Sequence, residues 1–120
     1  MELISFEQGI SKLITQFDSV NAYVNHIVRS NQNQSVSLVC IRLEAGGVLG
    51  RHHTVGNQLF LVVAGRGRVS GEDGVFVPIE AGQGAYWVAG ELHEAHTDDG
   101  LTAIVIEGDD IAPAMISTHD

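Results

Sequence analysis

Two histidine-bearing stretches, each opened by a glycine, constrain this chain more than any other feature. The first runs Gly46-Gly47-Val48-Leu49-Gly50-Arg51-His52-His53-Thr54-Val55-Gly56-Asn57-Gln58 and continues through the apolar run Leu59 to Ala64, ending at Gly65. The second starts at Gly82, passes through Ala85-Tyr86-Trp87-Val88, and delivers Gly90-Glu91-Leu92-His93-Glu94-Ala95-His96-Thr97. Four of the six histidines fall in these two windows, each beside a strand-like run. Side chains alternate along a strand, so His52 and Thr54 face one way and Arg51 and His53 the other. The same parity from Gln58 sends Phe60 and Val62 to a cavity side and Leu59 and Leu61 to the opposite side. Two strands of one small barrel bring His52, Gln58 and His93 together. Two imidazoles and an amide oxygen are competent ligands for a divalent first-row metal.

The rest of the chain is expected to be strand and turn, apart from one helix. Residues 5–17 carry Ser5 and Gln8 at capping-box spacing and an apolar stripe of Phe6, Ile10, Leu13, Ile14 and Phe17, which predicts a short N-terminal helix weakened by Gly9. Residues 22–29, with His26 inside, predict a strand, and residues 30–34 a polar loop. Residues 36–43 are apolar on both faces, as in a strand between two layers. Ala45-Gly46-Gly47 then reads as a turn, residues 58–64 as a strand, and Gly65-Arg66-Gly67 as a turn or bulge. Asp73-Gly74 is a favoured hairpin pair. Residues 75–79 return, with Pro78 marking an edge or bulge. Glu80-Ala81-Gly82 and Asp98-Asp99-Gly100 are further turns, and residues 101–106 the last strand. Many short strands at this spacing indicate an all-β sandwich or barrel.

Charge and cysteine content narrow the partners. A net charge of −9, from six Lys and Arg against fifteen Asp and Glu, disfavours nucleic acid and anionic membranes. Cys40 is the single cysteine, so no internal disulfide forms, and its apolar run predicts a buried thiol. The N-terminus lacks the basic and apolar pattern of a secretory signal, and no run approaches the ~20 apolar residues of a membrane helix. A cytoplasmic location is the expectation.

At the two histidine stretches the chain resembles the cupin superfamily. The family's first motif is glycine, five residues, His-x-His, three or four residues, Glu, six residues, glycine. Counting from Gly46, His52 takes the first histidine place, Thr54 the second, Gln58 the glutamate place and Gly65 the closing glycine. The second motif is glycine, five residues, Pro-x-Gly, two residues, His, three residues, Asn. From Gly82, Val88 stands at the proline place, followed by Gly90, His93 and, at the asparagine place, Thr97. The spacing matches throughout, and Thr54, Gln58, Val88 and Thr97 depart from the pattern. The resemblance implies an all-β double-stranded β-helix, or jelly-roll, barrel spanning 1–120 as one domain. Its core covers about residues 22–107 and its tail residues 108–120. The resemblance further implies a homodimer and a metal (zinc, iron, nickel or manganese) at His52, Gln58 and His93.

Two functions from different classes follow. One is a small enzyme whose metal keeps open positions and activates a small oxygen-rich metabolite. The other is a metal-free module that binds a small ligand, since Thr54 and Gln58 remove one imidazole and the anionic ligand. In either case Thr54, Phe60 and Trp87 are the candidate ligand contacts. His53 is expected to point outward, unless a bulge turns it in. His96, three residues after His93, cannot share a helical face with it, which excludes a zinc-protease helix. Glu91 and Glu94 flank His93 as either a general base or solvated loop carboxylates. No serine has a histidine and an acid at a telling spacing.

Overall fold

A computed structural model describes residues 1–29 and 35–114; the polar loop expected at 30–34 lies outside the described residues. The strands are β1 (Lys12–Leu13), β2 (Val20–Val28), β3 (Val36–His53), β4 (Asn57–Ser70), β5 (Val77–Glu80), β6 (Gly84–Trp87), β7 (Leu92–His96) and β8 (Leu101–Gly108). All sheet pairings are antiparallel. The fold is nearly all β, a jelly roll whose two layers share the long strands β3 and β4.

Those two strands are longer than expected. The glycines at 46 and 65 bend each strand rather than end it, with φ of 74° and 76° that a residue bearing a side chain adopts only at a cost. The first half of β3 pairs with β2 and β8, and its second half with β7. The first half of β4 pairs with β8 and β6, and its second half with β7 and β5. Each strand thus passes from one layer to the other. Pro78 sits in β5 at the end of the sheet order, where a missing N–H breaks no ladder.

Three rows of side chains cross one layer without a register slip. Ser37, Glu107, Gln58 and Trp87 form the first; Val39, Val105, Phe60 and Ala85 the second; Ile41, Ala103 and Val62 the third. The rows become more apolar with depth, and Phe60, Val62, Ala103 and Val105 are at most 5% exposed. Cys40 is also buried, and burial raises its thiol pKa, against a smaller lowering by Arg42.

The N-terminal helix is a correction. Residues 5–17 form two single 3-10 turns, Gln8–Ile10 and Gln16–Asp18, around the two-residue strand β1. The apolar stripe is not buried as one helical face: Phe6, Ile10, Leu13 and Phe17 are each 50% or more exposed, and only Ile14 packs against the core. A short helix without tertiary packing does not offset its nucleation cost. The backbone groups bond elsewhere, with β1 pairing to β2 and the Ile14 amide donating to the Ala22 carbonyl at 2.8 Å. Ser5 accepts a bond from the Glu7 amide, a local turn rather than a cap. At the other end the described part of the tail lies on the barrel: Asn57 donates to the Asp109 and Ile111 carbonyls, and the Tyr86 hydroxyl to that of Ile111.

Candidate functional site

The space between the two layers is a cavity of about 490 Å³. One wall is the three-row layer. Facing it, β3 and β7 present His52 opposite His93 and Leu49 opposite Ala95. The register between these strands slips from Leu49 to His52, a bulge that re-aims the histidine. Ile14, Gln16, Phe17 and Ser19 close the cavity from the N-terminal side.

His52 and His93 meet through their Nε2 atoms, 3.1 Å apart, with ring centroids at 4.3 Å. His52 Nδ1 lies 2.6 Å from the Gly50 carbonyl oxygen, which accepts only if Nδ1 carries the proton. That assignment leaves a lone pair on His52 Nε2, directed at His93. His93 is 7% exposed, and burial, followed by the neighbouring His52, pushes its pKa down to about 4. The His93 imidazole is therefore neutral at pH 7. The rings continue in contact on either side: Trp87 meets His93 edge-on at 4.7 Å, and Phe60 meets Trp87 at 5.9 Å.

Phe17 lies flat on His52, centroids 3.9 Å apart and planes 4° from parallel. Its backbone holds φ 58° and ψ 33°, a left-handed conformation that costs a non-glycine residue about 1–2 kcal/mol. Asp18 and Asn21 also have positive φ. The segment can cross β3 here because Gly50 has no side chain; a Cβ would overlap the Phe17 carbonyl oxygen. Ser19 Oγ accepts from the Gly50 amide at 3.1 Å and ties the crossing down. The strained backbone thus lies beside the half-buried His52, which contacts the buried His93.

Gln58 faces the same cavity, in the row with Glu107, and its Nε2 donates to Glu107 Oε2 at 3.1 Å. With the amide NH2 engaged, the carbonyl oxygen is the end left to meet a ligand or metal. Phe60 and Trp87 line the cavity as well. Leu59 is buried but not on its wall, and Val62 belongs to the core beneath.

Thr54 is not on the cavity wall, contrary to the alternation expected from His52. β3 ends at His53, so strand parity stops one residue short of it. The Thr54 hydroxyl donates to the Val88 carbonyl at 2.9 Å, and its backbone bonds Gly90 and Glu91, locking the second-motif loop. Thr97 does similar work: its hydroxyl donates to Arg66 O and accepts from the Gly100 amide. His53 points outward, its Nδ1 2.8 Å from the Gly90 carbonyl. Glu91 accepts from the Val88 amide and closes its own loop. Glu94 borders the cavity, but its carboxylate lies 2.7 Å from His96 Nε2, and His96 rests against Phe76.

Sequence reasoning missed Glu107, His26 and Arg29, all on the cavity wall. For Glu107 a signal existed. Leu101, Ala103, Val105 and Glu107 share one parity, so a carboxylate at the end of an apolar stripe points where the stripe points.

A metal is what the resemblance implies, and the donor geometry can be tested against it. Nitrogens each about 2.1 Å from one ion lie roughly 3.0–3.4 Å apart for right-angle to tetrahedral positions. The observed 3.1 Å falls inside that range. No group of three or more His, Cys, Asp or Glu comes together among the described residues, and Gln58, on the same cavity wall, is the further ligand the resemblance offers.

No protein-family model matches the chain, and no curated protein does. Solved structures do. A cupin-like protein from Thermotoga maritima superposes with a TM-score of 0.75 at 19% identity, over 88% of this chain and 80% of that one. A predicted oxalate decarboxylase from the same organism gives 0.74 at 18%, over 88% and 98%. The polyketide cyclase RemF from Streptomyces resistomycificus gives 0.74 at 12%, over 98% and 89%. At such identities the likeness establishes the fold, which is that of the cupin superfamily. It leaves the activity to be argued from the site.

Proposed function

We propose that this chain is a metal-dependent cupin that binds a small organic molecule between its two layers, with a divalent ion held by His52, His93 and the Gln58 amide oxygen. The observation that carries the reading is the pair of imidazole Nε2 atoms, 3.1 Å apart in a largely apolar cavity. Bound there, such an ion supplies Lewis acidity to an oxygen of the ligand. The chain's own residues do the rest. Gly50 fixes the His52 tautomer through its carbonyl, and Glu107 orients Gln58, as partners of metal ligands do. Phe60, Trp87 and Phe17 exclude water and strengthen every polar contact inside. The apolar floor restricts the polar groups of the ligand to the rim, so an oxygen-bearing end with an apolar body fits better than a uniformly oxygen-rich metabolite. The solved structures of the same fold include proteins described as enzymes, which is consistent with catalysis. A homodimer fits the exposed apolar side chains of the N-terminal segment, Leu3, Ile4, Phe6 and Ile10 among them.

The metal-free alternative draws on one observation, the absence of a third histidine or a carboxylate beside the pair among the described residues. Elemental analysis and zinc titration of the wild type and of Gln58→Glu separate the two. With a metal site, the wild type takes up one equivalent and Gln58→Glu binds it more tightly, because a carboxylate adds charge attraction. Without metal, Gln58→Glu should lose stability, since it sets two carboxylates about 3 Å apart, a pair that resists double ionisation. No uptake by either protein overturns the metal reading.

A further inference from the structure

Among the described residues, one of the chain's few cationic side chains, Arg29, lies on the cavity wall. Six Lys and Arg face fifteen Asp and Glu in the sequence. Four of the six are engaged within the fold. Arg42 donates to Asn25 Oδ1 at 2.6 Å and to the Phe6 carbonyl at 2.8 Å. Arg51 donates to the Gly71 and Glu72 carbonyls, and Arg66 and Arg68 pair with Asp99 and Asp98. The remaining two, Lys12 and Arg29, have no such partner among the described residues, and both act on one place. Burial first, then the charges of Arg29 and Lys12, lower the pKa of His26. Arg29 and His26 both line the cavity, beside Ser37. Lys12 pairs with Val24, two residues from His26 along β2. Two carboxylates border the same cavity, but Glu107 is engaged by Gln58 and Glu94 by His96. Both carboxylates are turned to those partners, which leaves the Arg29 guanidinium, the one Lys or Arg on the cavity wall among the described residues, to meet the anionic end of a ligand whose body lies on the apolar floor.

We propose that the ligand of this cavity is an amphipathic organic carboxylate, its anionic group held at the rim by Arg29 and His26 and its apolar body lying against Val39, Ile41, Phe60 and Val105. The planar guanidinium of Arg29 matches a carboxylate in two parallel bonds, a geometry that an amide or ester cannot fully reproduce. His26 and Ser37 add donors on the same rim. This inference rests on the reading of the cavity as a ligand site and specifies which chemistry enters it.

The test compares 2-naphthoate with 2-naphthamide, two probes of the same shape that differ in charge, by isothermal titration calorimetry. The wild type should bind the carboxylate at least tenfold more tightly than the amide. Arg29→Gln should remove that preference while leaving affinity for the amide within about twofold, and Arg29→Lys should retain part of it. Equal affinity of the wild type for both probes, binding of neither, or an unchanged preference in Arg29→Gln overturns the proposal. Zinc uptake by the wild type, measured in the same series, reports on the metal reading separately. A protein that takes up zinc but ignores the charge of the probe refutes only the carboxylate.

Discussion

The two walls of the cavity are built on different terms. The Ser37–Glu107–Gln58 layer is a regular antiparallel sheet in which each row follows from the one before. The His52–His93 wall departs from regularity at every step: a register slip, a glycine whose Cβ would strike another segment, and a phenylalanine in a left-handed conformation stacked on the histidine. Regular pairing stabilises itself residue by residue, whereas the irregular wall is held by its surroundings. The first wall supplies shape, and the second places two imidazoles where an unconstrained strand would not leave them.

Four changes sharpen or break that division, in descending size. Phe60, 1% exposed at the centre of the regular wall, should act through packing. Phe60→Ala is expected to cost about 3–5 kcal/mol in urea unfolding, the range for a large aromatic lost from a core. A cost below 1 kcal/mol would mean that the regular wall is not where stability resides.

His93 makes the irregular wall sensitive to acid. Its folded pKa of about 4 lies below the ordinary 6.5, so the unfolded chain takes up the proton first as pH falls. Stability from this group is complete above pH 6.5 and declines as pH drops to 4, by roughly 3 kcal/mol at about 1.4 kcal/mol per pH unit. Unfolding of the wild type and His93→Gln at pH 7 and pH 4 isolates the effect, because other groups contribute equally to both proteins. Parallel losses in the two proteins would remove the buried neutral imidazole from the account.

Gly50→Ala tests the crossing of the N-terminal segment. The added methyl displaces the Phe17 carbonyl, with an expected cost of about 1–3 kcal/mol and faster amide exchange at residues 14–19. Unchanged exchange there would show that the segment is not seated on β3. The smallest effect belongs to Ser70, whose buried hydroxyl has no hydrogen-bond partner among the described residues. Ser70→Ala should be neutral or stabilising by up to about 1 kcal/mol, and a clear loss of stability would reveal a partner for that hydroxyl.

The same division explains what could be read in advance. Spacing between glycines and histidines, together with strand parity, points to the barrel, to Gln58, Phe60 and Trp87 on one wall, and to His52 facing His93. Parity fails where the backbone leaves the regular ladder. Thr54 lies beyond the end of β3 and after the bulge, so counting from His52 misplaces it. The apolar stripe of residues 6–17 has helical spacing, yet most of it stays exposed, and the segment spends its backbone bonds on β2 and on the crossing at Gly50. The stack of Phe17 on His52 depends on a backbone conformation that a phenylalanine seldom adopts, which no local pattern announces. Glu107 was legible in principle, since the parity of β8 is regular; His26 and Arg29 gain meaning only once β2 is placed beside β3.

Anomalous diffraction from zinc-soaked crystals, recorded at the zinc absorption edge, tests the central claim most directly. The expected result is one anomalous peak between the Nε2 atoms of His52 and His93, within coordination distance of Gln58 Oε1. An empty position with the two imidazoles still in mutual hydrogen-bond contact would contradict it.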